Sequence, residues 1–329
     1  MNDAAGMQQQ SRHRLNVSLG DGTCVQANLT LPERRRPAGV IQVLHGMAEH
    51  AGRYEYFIQQ LLIHGYAVVI HNHRGHGERT PLGYFSEPDH CGHNGWHWVV
   101  DDALRVQNAF RSTLEKTYGE LPFILFGHSL GSFIARDMAR TCGDKLDALI
   151  LSGTNSQPDL MYKVGLKVTE WLSKLQSPEQ PSELLNWLVF GRYNSHIHAP
   201  RTRFDWLSRD TQIVDQYLAD PLCGKLHSLQ FWSDFFAALI RVDSKEAIDQ
   251  IPKDLPVFMM SGDDDPVGRY GAGVHRLENL LHETGHDFVS NWLYEARRHE
   301  LLNETNRDAV ILDLLDWLDN NRKSRISSS

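Results

Sequence analysis

The chain has 329 residues, long enough for one large α/β domain that carries an insertion. Charged residues make up 22% and aromatic residues 9%, an ordinary globular balance. The formal net charge of −8 argues against a nucleic-acid partner, which needs clustered Lys and Arg. The one dense basic run, Arg34-Arg35-Arg36, stands between Pro32 and Pro37 and reads as a solvated loop. Cys24, Cys91, Cys142 and Cys223 are far apart and form no C-x-x-C pair, so free, mostly buried thiols are expected. Residues 1–14 are polar and lack the apolar centre of a signal peptide, and no run approaches the roughly 18 apolar residues of a spanning helix. The expectation is a soluble, cytoplasmic protein with a disordered first dozen residues and a disordered tail at Ser327 to Ser329.

Strand-like and helix-like runs alternate along the chain. Residues 14–19 and 24–31 read as strands joined by the turn signal Gly20-Asp21-Gly22. Residues 40–44 (VIQVL) form a short β-rich run that ends at His45-Gly46. Residues 54–64 carry Phe57, Leu61 and Leu62 at helical spacing and stop at Gly65. A strand buried on both faces follows at 67–70 (AVVI), then a long helix over 98–118. Residues 122–126 are a strand running into Gly127-His128-Ser129; 133–140 are a helix and 146–151 a strand. The stretch 157–250 breaks the alternation, with helical apolar stripes over 160–175, 184–190 and 231–240. Afterwards 256–260 and 287–295 read as strands, and 273–283 and 309–318 as helices. This pattern predicts a mostly parallel sheet flanked by helices. Residues 1–156 and 251–329 would form its core, and 157–250 a helical cap.

Gly127-His128-Ser129-Leu130-Gly131 matches G-x-S-x-G, set between a strand and a helix as a nucleophile elbow requires. The serine hydroxyl needs a base. Catalytic groups sit at the C-terminal ends of parallel strands. Of 18 histidines, His299 alone follows a late strand and precedes the last helix. His286 precedes that strand, at the wrong end of the sheet. The acid should follow the strand at 256–260, which leaves Asp263, Asp264 and Asp265. The groups His71/His73/His76, His90/His93/His97 and His196/His198 lack a helical H-x-x-x-H with a matching carboxylate. They read as loop histidines, and no metal is expected.

LHGMAEHAGRY (44–54), HRGHG (73–77), GHSLGS (127–132), SGDDDPVG (261–268) and YEARRHELLNETNRDAV (294–310) occur in that order, with DPLCG (220–224) in the insertion. Together they resemble the monoacylglycerol lipase/lysophospholipase branch of the α/β-hydrolases, grouped with the serine aminopeptidases. The resemblance implies an α/β-hydrolase fold with nucleophile Ser129, base His299 and acid Asp265, the residue before the Pro-Val pair. It also implies oxyanion-hole N–H groups at Met47 and Leu130, and no cofactor. Asn72, where the family often has Asp, and Ser132, where it often has Gly, depart from the pattern. The implied function is a serine hydrolase of carboxylic esters, with monoacylglycerols or lysophospholipids as small-molecule substrates and an acyl-enzyme intermediate. A peripheral contact with lipid surfaces is compatible with such substrates. The alternative is a serine aminopeptidase of the proline iminopeptidase kind, for which Glu170, Glu179, Glu183 and Asp205 are candidate grips for an ammonium group. Leu160, Val164, Val168, Trp171 and Leu175, with Phe231, Trp232, Phe235, Phe236 and Leu239, are expected to build an apolar acyl wall.

Overall fold

The central apolar runs separate into strands because each is short, β-rich and buried on both faces. The computed structural model describes residues 11–33, 36–79 and 95–328. Its strands are β1 (Ser11–Ser18), β2 (Cys24–Leu31), β3 (Gly39–Leu44), β4 (Tyr66–His71), β5 (Phe123–His128), β6 (Ala148–Ser152), β7 (Val257–Gly262) and β8 (Val289–Tyr294). They form one sheet in the order β1-β2-β4-β3-β5-β6-β7-β8. β1 and β2 pair antiparallel, as do β2 and β4; every later pairing is parallel. All residues of β3, β4, β5 and β7 are buried, as a sheet covered on both sides demands. Gln42 tolerates the centre of β3 because its Nε2 donates to Ala103 O at 2.9 Å.

Side chains alternate across the sheet into two cores. Val40, Leu44, Phe123 and Leu125 face α2 (Gly95–Tyr118), α3 (Leu130–Cys142) and α9 (Ala272–Glu283). Ile41, Val43, Ile124 and Phe126 face α1 (Glu55–Ile63) and α10 (Arg307–Ser328). Each such side chain stabilises the fold by about 1.5–3 kcal/mol.

Between β6 and β7 run α4 (Asp159–Leu172), α5 (Glu183–Phe190), α6 (Thr211–Ala219), α7 (Leu229–Val242) and α8 (Lys245–Asp249). α6 and α8 escape sequence reading because they are short and bury few apolar residues: Val214 and Tyr217, and Ala247 and Ile248. The α7 stripe packs into the core, with Phe231 and Trp232 fully buried. The α4 stripe does not build an inner wall. Leu160, Val164, Trp171 and Leu175 are 56–67% exposed. α4 instead buries Tyr162, Thr169 and Leu172. Tyr162 Oη donates to Asp243 Oδ2 at 2.7 Å, and Gly165 lies so close to the Phe236 ring that a Cβ would meet it at 2.8 Å. Polar partners and close approach turned the helix, overriding the apolar stripe.

β1 begins at Ser11, inside the dozen residues expected to be disordered, because pairing from Ser11–Leu31 to Ser18–Cys24 satisfies its backbone. Ser327 and Ser328 likewise belong to α10. Cys142 and Cys223 are buried and free, whereas Cys24 is exposed. Residues 1–10, Arg34, Arg35, His90, Cys91 and His93 lie outside the described residues. Among the described residues no helix is long and apolar enough to cross a membrane.

Candidate active site

Four strand ends supply the candidate residues. β3, β5, β7 and β8 are parallel, with Leu44 opposite Gly127 and Gly262 opposite Tyr294. The segments carrying Met47, Ser129, Asp265 and His299 therefore leave the same edge of the sheet. Ser129 sits between β5 and α3 with φ 52° and ψ −117°, a conformation costing about 1–3 kcal/mol in a non-glycine residue. Its neighbours must be small. A Cβ on Gly127 would lie 2.3 Å from Gly131 O, and one on Gly131 would lie 2.1 Å from Leu44 O. The second contact draws the His45–Met47 turn against the elbow. The departing residue Ser132 reinforces the turn, its Oγ donating to Ser129 O at 2.6 Å and accepting from Thr154 Oγ1 at 2.9 Å. Asn72 is also accommodated, because its Oδ1 accepts from Ala51 N at 2.8 Å.

The three adjacent aspartates differ in burial and in partner. Asp264 is exposed, Asp263 half-buried and Asp265 fully buried. His299 Nδ1 lies 2.9 Å from Asp265 Oδ2, and Asp265 Oδ1 accepts from Val267 N at 2.8 Å. Burial pushes the His299 imidazole toward the neutral form. The Asp265 charge and hydrogen bond, with Glu300 and Glu49, outweigh this and set its pKa above the usual histidine value. The His299 ring packs 4.7 Å from His128, the residue before Ser129, and 5.1 Å from Trp206. The elbow and the histidine loop thus converge.

Beneath the turn lies a cluster that sequence reading missed, although its members fall inside the quoted motifs. Glu49 accepts from Gly46 N at 2.5 Å and from Tyr54 Oη at 2.7 Å. Arg53 bridges Glu49 at 2.7 Å and Glu300 at 2.5 and 2.8 Å. Burial would raise the Glu49 carboxyl, but the Arg53 charge and these donors hold it below its ordinary range. These residues line a small closed pocket with Tyr54, Phe57, His128, Leu302 and Asn303. His45, His71, His73 and His76 pack beside it in tilted and edge-on contacts, adjoining rings 4.0–5.4 Å apart along the His71–His73–His45–His76 series. His227 follows at 5.5 Å from His76. Among the described residues, His50, Asp220 and Cys223 bring possible ligand atoms within 4.8 Å of one another. Their geometry is that of a hydrogen bond: His50 Nε2 lies 2.8 Å from Asp220 Oδ2 while its Nδ1 accepts from Gly52 N. Burial pushes the Cys223 thiol up to about 12. His196 stacks on Tyr270 at 3.9 Å, away from this cluster.

A serine in a strained strand–helix turn, at the edge of a mostly parallel sheet that also carries a buried His–Asp pair, defines the α/β-hydrolase class. The family model Hydrolase_4, described as serine aminopeptidase S33, matches residues 35–306, and the chain belongs to that family. It is similar to the monoacylglycerol lipase of Mycolicibacterium smegmatis, 28% identical over 287 residues, covering 86% of this chain and 88% of that one. It is also similar to the monoglyceride lipase of Mus musculus, 26% identical over 86% of this chain and 82% of that one. The crystal structure of a thermostable carboxyl esterase from Bacillus coagulans, in complex with glycerol, superposes with a TM-score of 0.83. It is 29% identical, with 95% of this chain and 99% of that one covered.

Proposed function

We infer that the protein is a carboxylic ester hydrolase that cleaves monoacylglycerol-type esters through Ser129, His299 and Asp265. The observation that carries this reading is the buried His299–Asp265 pair at 2.9 Å, its ring 4.7 Å from His128, the neighbour of an elbow serine held at φ 52°. The two relatives named above as monoacylglycerol and monoglyceride lipases support the substrate class. Asp265 accepts a hydrogen bond from Nδ1–H, which keeps the proton on Nδ1 and leaves Nε2 as the base. As Ser129 Oγ attacks the ester carbonyl, His299 takes its proton, and the N–H groups of Met47 and Leu130 receive the oxyanion. His299 returns the proton to the leaving alcohol. Water then adds to the acyl-enzyme, again through His299, and releases the acid with Ser129 restored. Residues 157–250 act as the cap over the core formed by 1–156 and 251–329. Backbone bonds from His299 N to Trp206 O and from Glu300 N to Leu207 O, at 3.3 and 2.8 Å, support this arrangement.

The acid assignment is tested by exchanging adjacent aspartates. Asp265→Asn should lower kcat about 10⁴-fold, as loss of the orienting carboxylate does in serine proteases. Asp264→Asn should leave kcat within about twofold, because that side chain is exposed. The wild-type acid limb of kcat/KM should lie above 6.5, since His299 must be neutral to act and its pKa is raised. In the Asp265→Asn residual activity that limb should move down. A dead Asp264→Asn beside an active Asp265→Asn would overturn the assignment.

The pocket beside His128 holds two carboxylates and one guanidinium, Glu49, Glu300 and Arg53. The cluster is too tightly closed to admit a leaving group, but its formal charge of −1 beside His128 disfavours a phosphate on the leaving group. Two like charges roughly 6 Å apart at an effective dielectric of about 20 repel by about 3 kcal/mol. Glycerol monoesters should therefore exceed the matching glycerophosphate esters by tenfold or more in kcat/KM. Longer acyl chains should be favoured over acetyl, each buried methylene contributing about 0.8 kcal/mol. The exposed stripe of α4, with Leu184, Trp187 and Leu188 on α5, provides a contact for lipid aggregates. Rates should thus rise when substrate passes its micelle concentration, and Trp171→Ala should blunt that rise. The aminopeptidase alternative is disfavoured: Glu170 and Glu183 are exposed, and Asp205 is engaged by Thr202 Oγ1 and Arg201 N, both at 2.5 Å. Efficient hydrolysis of proline naphthylamide with no chain-length gain would reverse this ranking.

A further inference from the structure

The turn bearing Met47 is strained and held from two directions. His45 Nε2 accepts from His73 N at 3.0 Å, so its Nδ1 carries the proton and donates to Gly46 O at 2.8 Å. That carbonyl belongs to the same planar peptide as the Met47 N–H, and the two point in opposite directions. One residue on, Ala48 has φ 56°. Such a backbone persists in a non-glycine residue only when its surroundings over-determine it. The second hold comes from a distant segment. Tyr217 Oη, on α6, donates to Ala48 O at 2.9 Å, and Gly224 N donates to the same oxygen at 2.9 Å. Gly224 N also lies 3.1 Å from Tyr217 Oη. The ring is buried, with Arg53 4.8 Å above it and Phe204 at 4.9 Å. The His50–Asp220 bond at 2.8 Å ties the same loop pair together again.

We propose that Tyr217 is a positioning residue for ester hydrolysis, acting through the Ala48 carbonyl to aim the Met47 N–H at the oxyanion. The inserted segment would thereby complete the oxyanion site, beyond covering it. The proposal rests on the reading of Met47 and Leu130 as oxyanion donors. Tyr217→Phe keeps the ring and removes only the hydroxyl, leaving the Gly224 bond.

The test uses a matched pair of substrates, an oxoester and its thionoester, whose sulfur accepts hydrogen bonds poorly. The wild-type enzyme should strongly prefer the oxoester. Tyr217→Phe should lower kcat for the oxoester about tenfold, the effect of about one net hydrogen bond, with KM unchanged. The oxo-to-thiono ratio of kcat should fall by the same factor. A merely structural role would lower both substrates together and leave the ratio intact, and that result would overturn the proposal. A wild-type ratio near one removes the Met47 and Leu130 assignment, and this inference with it, before any variant is made. Thermal melting within about 5 °C of wild type shows that the fold is kept. Should the variant fail that check, Asp220→Asn loosens the loop carrying Gly224 and is read by the same ratio.

Discussion

Ser129→Ala is expected to lower kcat about 10⁶-fold, the scale seen when a protease of this mechanism loses its serine. The substitution removes the only atom that can form the proposed acyl-enzyme and leaves the turn as it is. Gly127 and Gly131 still make room for it, and Ser132 still holds the residue's carbonyl at 2.6 Å. Melting temperature should therefore change little, or rise slightly if the polar group at a strained position was destabilising. A fluorophosphonate probe should label the wild-type chain at Ser129 and leave the alanine variant unlabelled. Mass spectrometry of the labelled peptide distinguishes this from labelling elsewhere. Retention of more than a thousandth of wild-type turnover in rigorously purified Ser129→Ala would exclude the serine as nucleophile.

Acid should unfold this protein steeply between about pH 6.5 and pH 4. Six buried histidines have pKa values held furthest down, in each case first by burial: His45, His71, His73, His76, His128 and His227; burial lowers His286 as well. Positive neighbours lower them further, and for most of them these are other histidines. His71 lies at about 3, and His76 and His128 at about 4. Because these values are below the unfolded reference of about 6.5, the unfolded chain binds more protons throughout that window. Stability is therefore full above about 6.5 and is lost as pH falls toward the folded values. Each such histidine costs about 2 kcal/mol at pH 5, so six together rival the 5–15 kcal/mol of a typical domain. His299 works the other way, its raised pKa adding stability on the acid side, but it is one group against six. Melting temperature recorded from pH 8 to pH 5 should drop by tens of degrees. His71→Leu should reduce the slope, since neither ring nitrogen of His71 has a partner among the described residues. A melting temperature flat across that range would show that these imidazoles are not neutral in the fold.

Much of this was legible in the chain because the relevant signals are local. Short β-branched runs can only be strands in a doubly covered sheet, and PFILF running into GHSLG places Ser129 without further help. The position of His299 after the last strand follows from chain order alone. Asp265 is different in kind. Three consecutive aspartates look alike to any local rule, and the resemblance to a family chose among them. The fold buries Asp265 against His299 and leaves Asp264 in solvent.

Side-chain direction within the inserted segment was not legible. An apolar stripe at helical spacing normally marks the buried face, yet α4 turns Leu160, Val164 and Trp171 outward and buries Tyr162 and Thr169. The deciding contacts, Tyr162 with Asp243 and Gly165 with Phe236, span 81 and 71 positions, beyond the reach of any window. The Arg53 bridge to Glu300, separated by 247 residues, is hidden for the same reason, and so is the reach of Tyr217 across 169 residues to Ala48. The sequence by itself determined the strands, their order along the chain, the elbow and the histidine loop, because periodicity and strained turns are properties of neighbouring residues. Only the tertiary structure decided which carboxylate meets His299, which face of α4 meets solvent, and what holds the Met47 turn, because each depends on groups that only folding brings together.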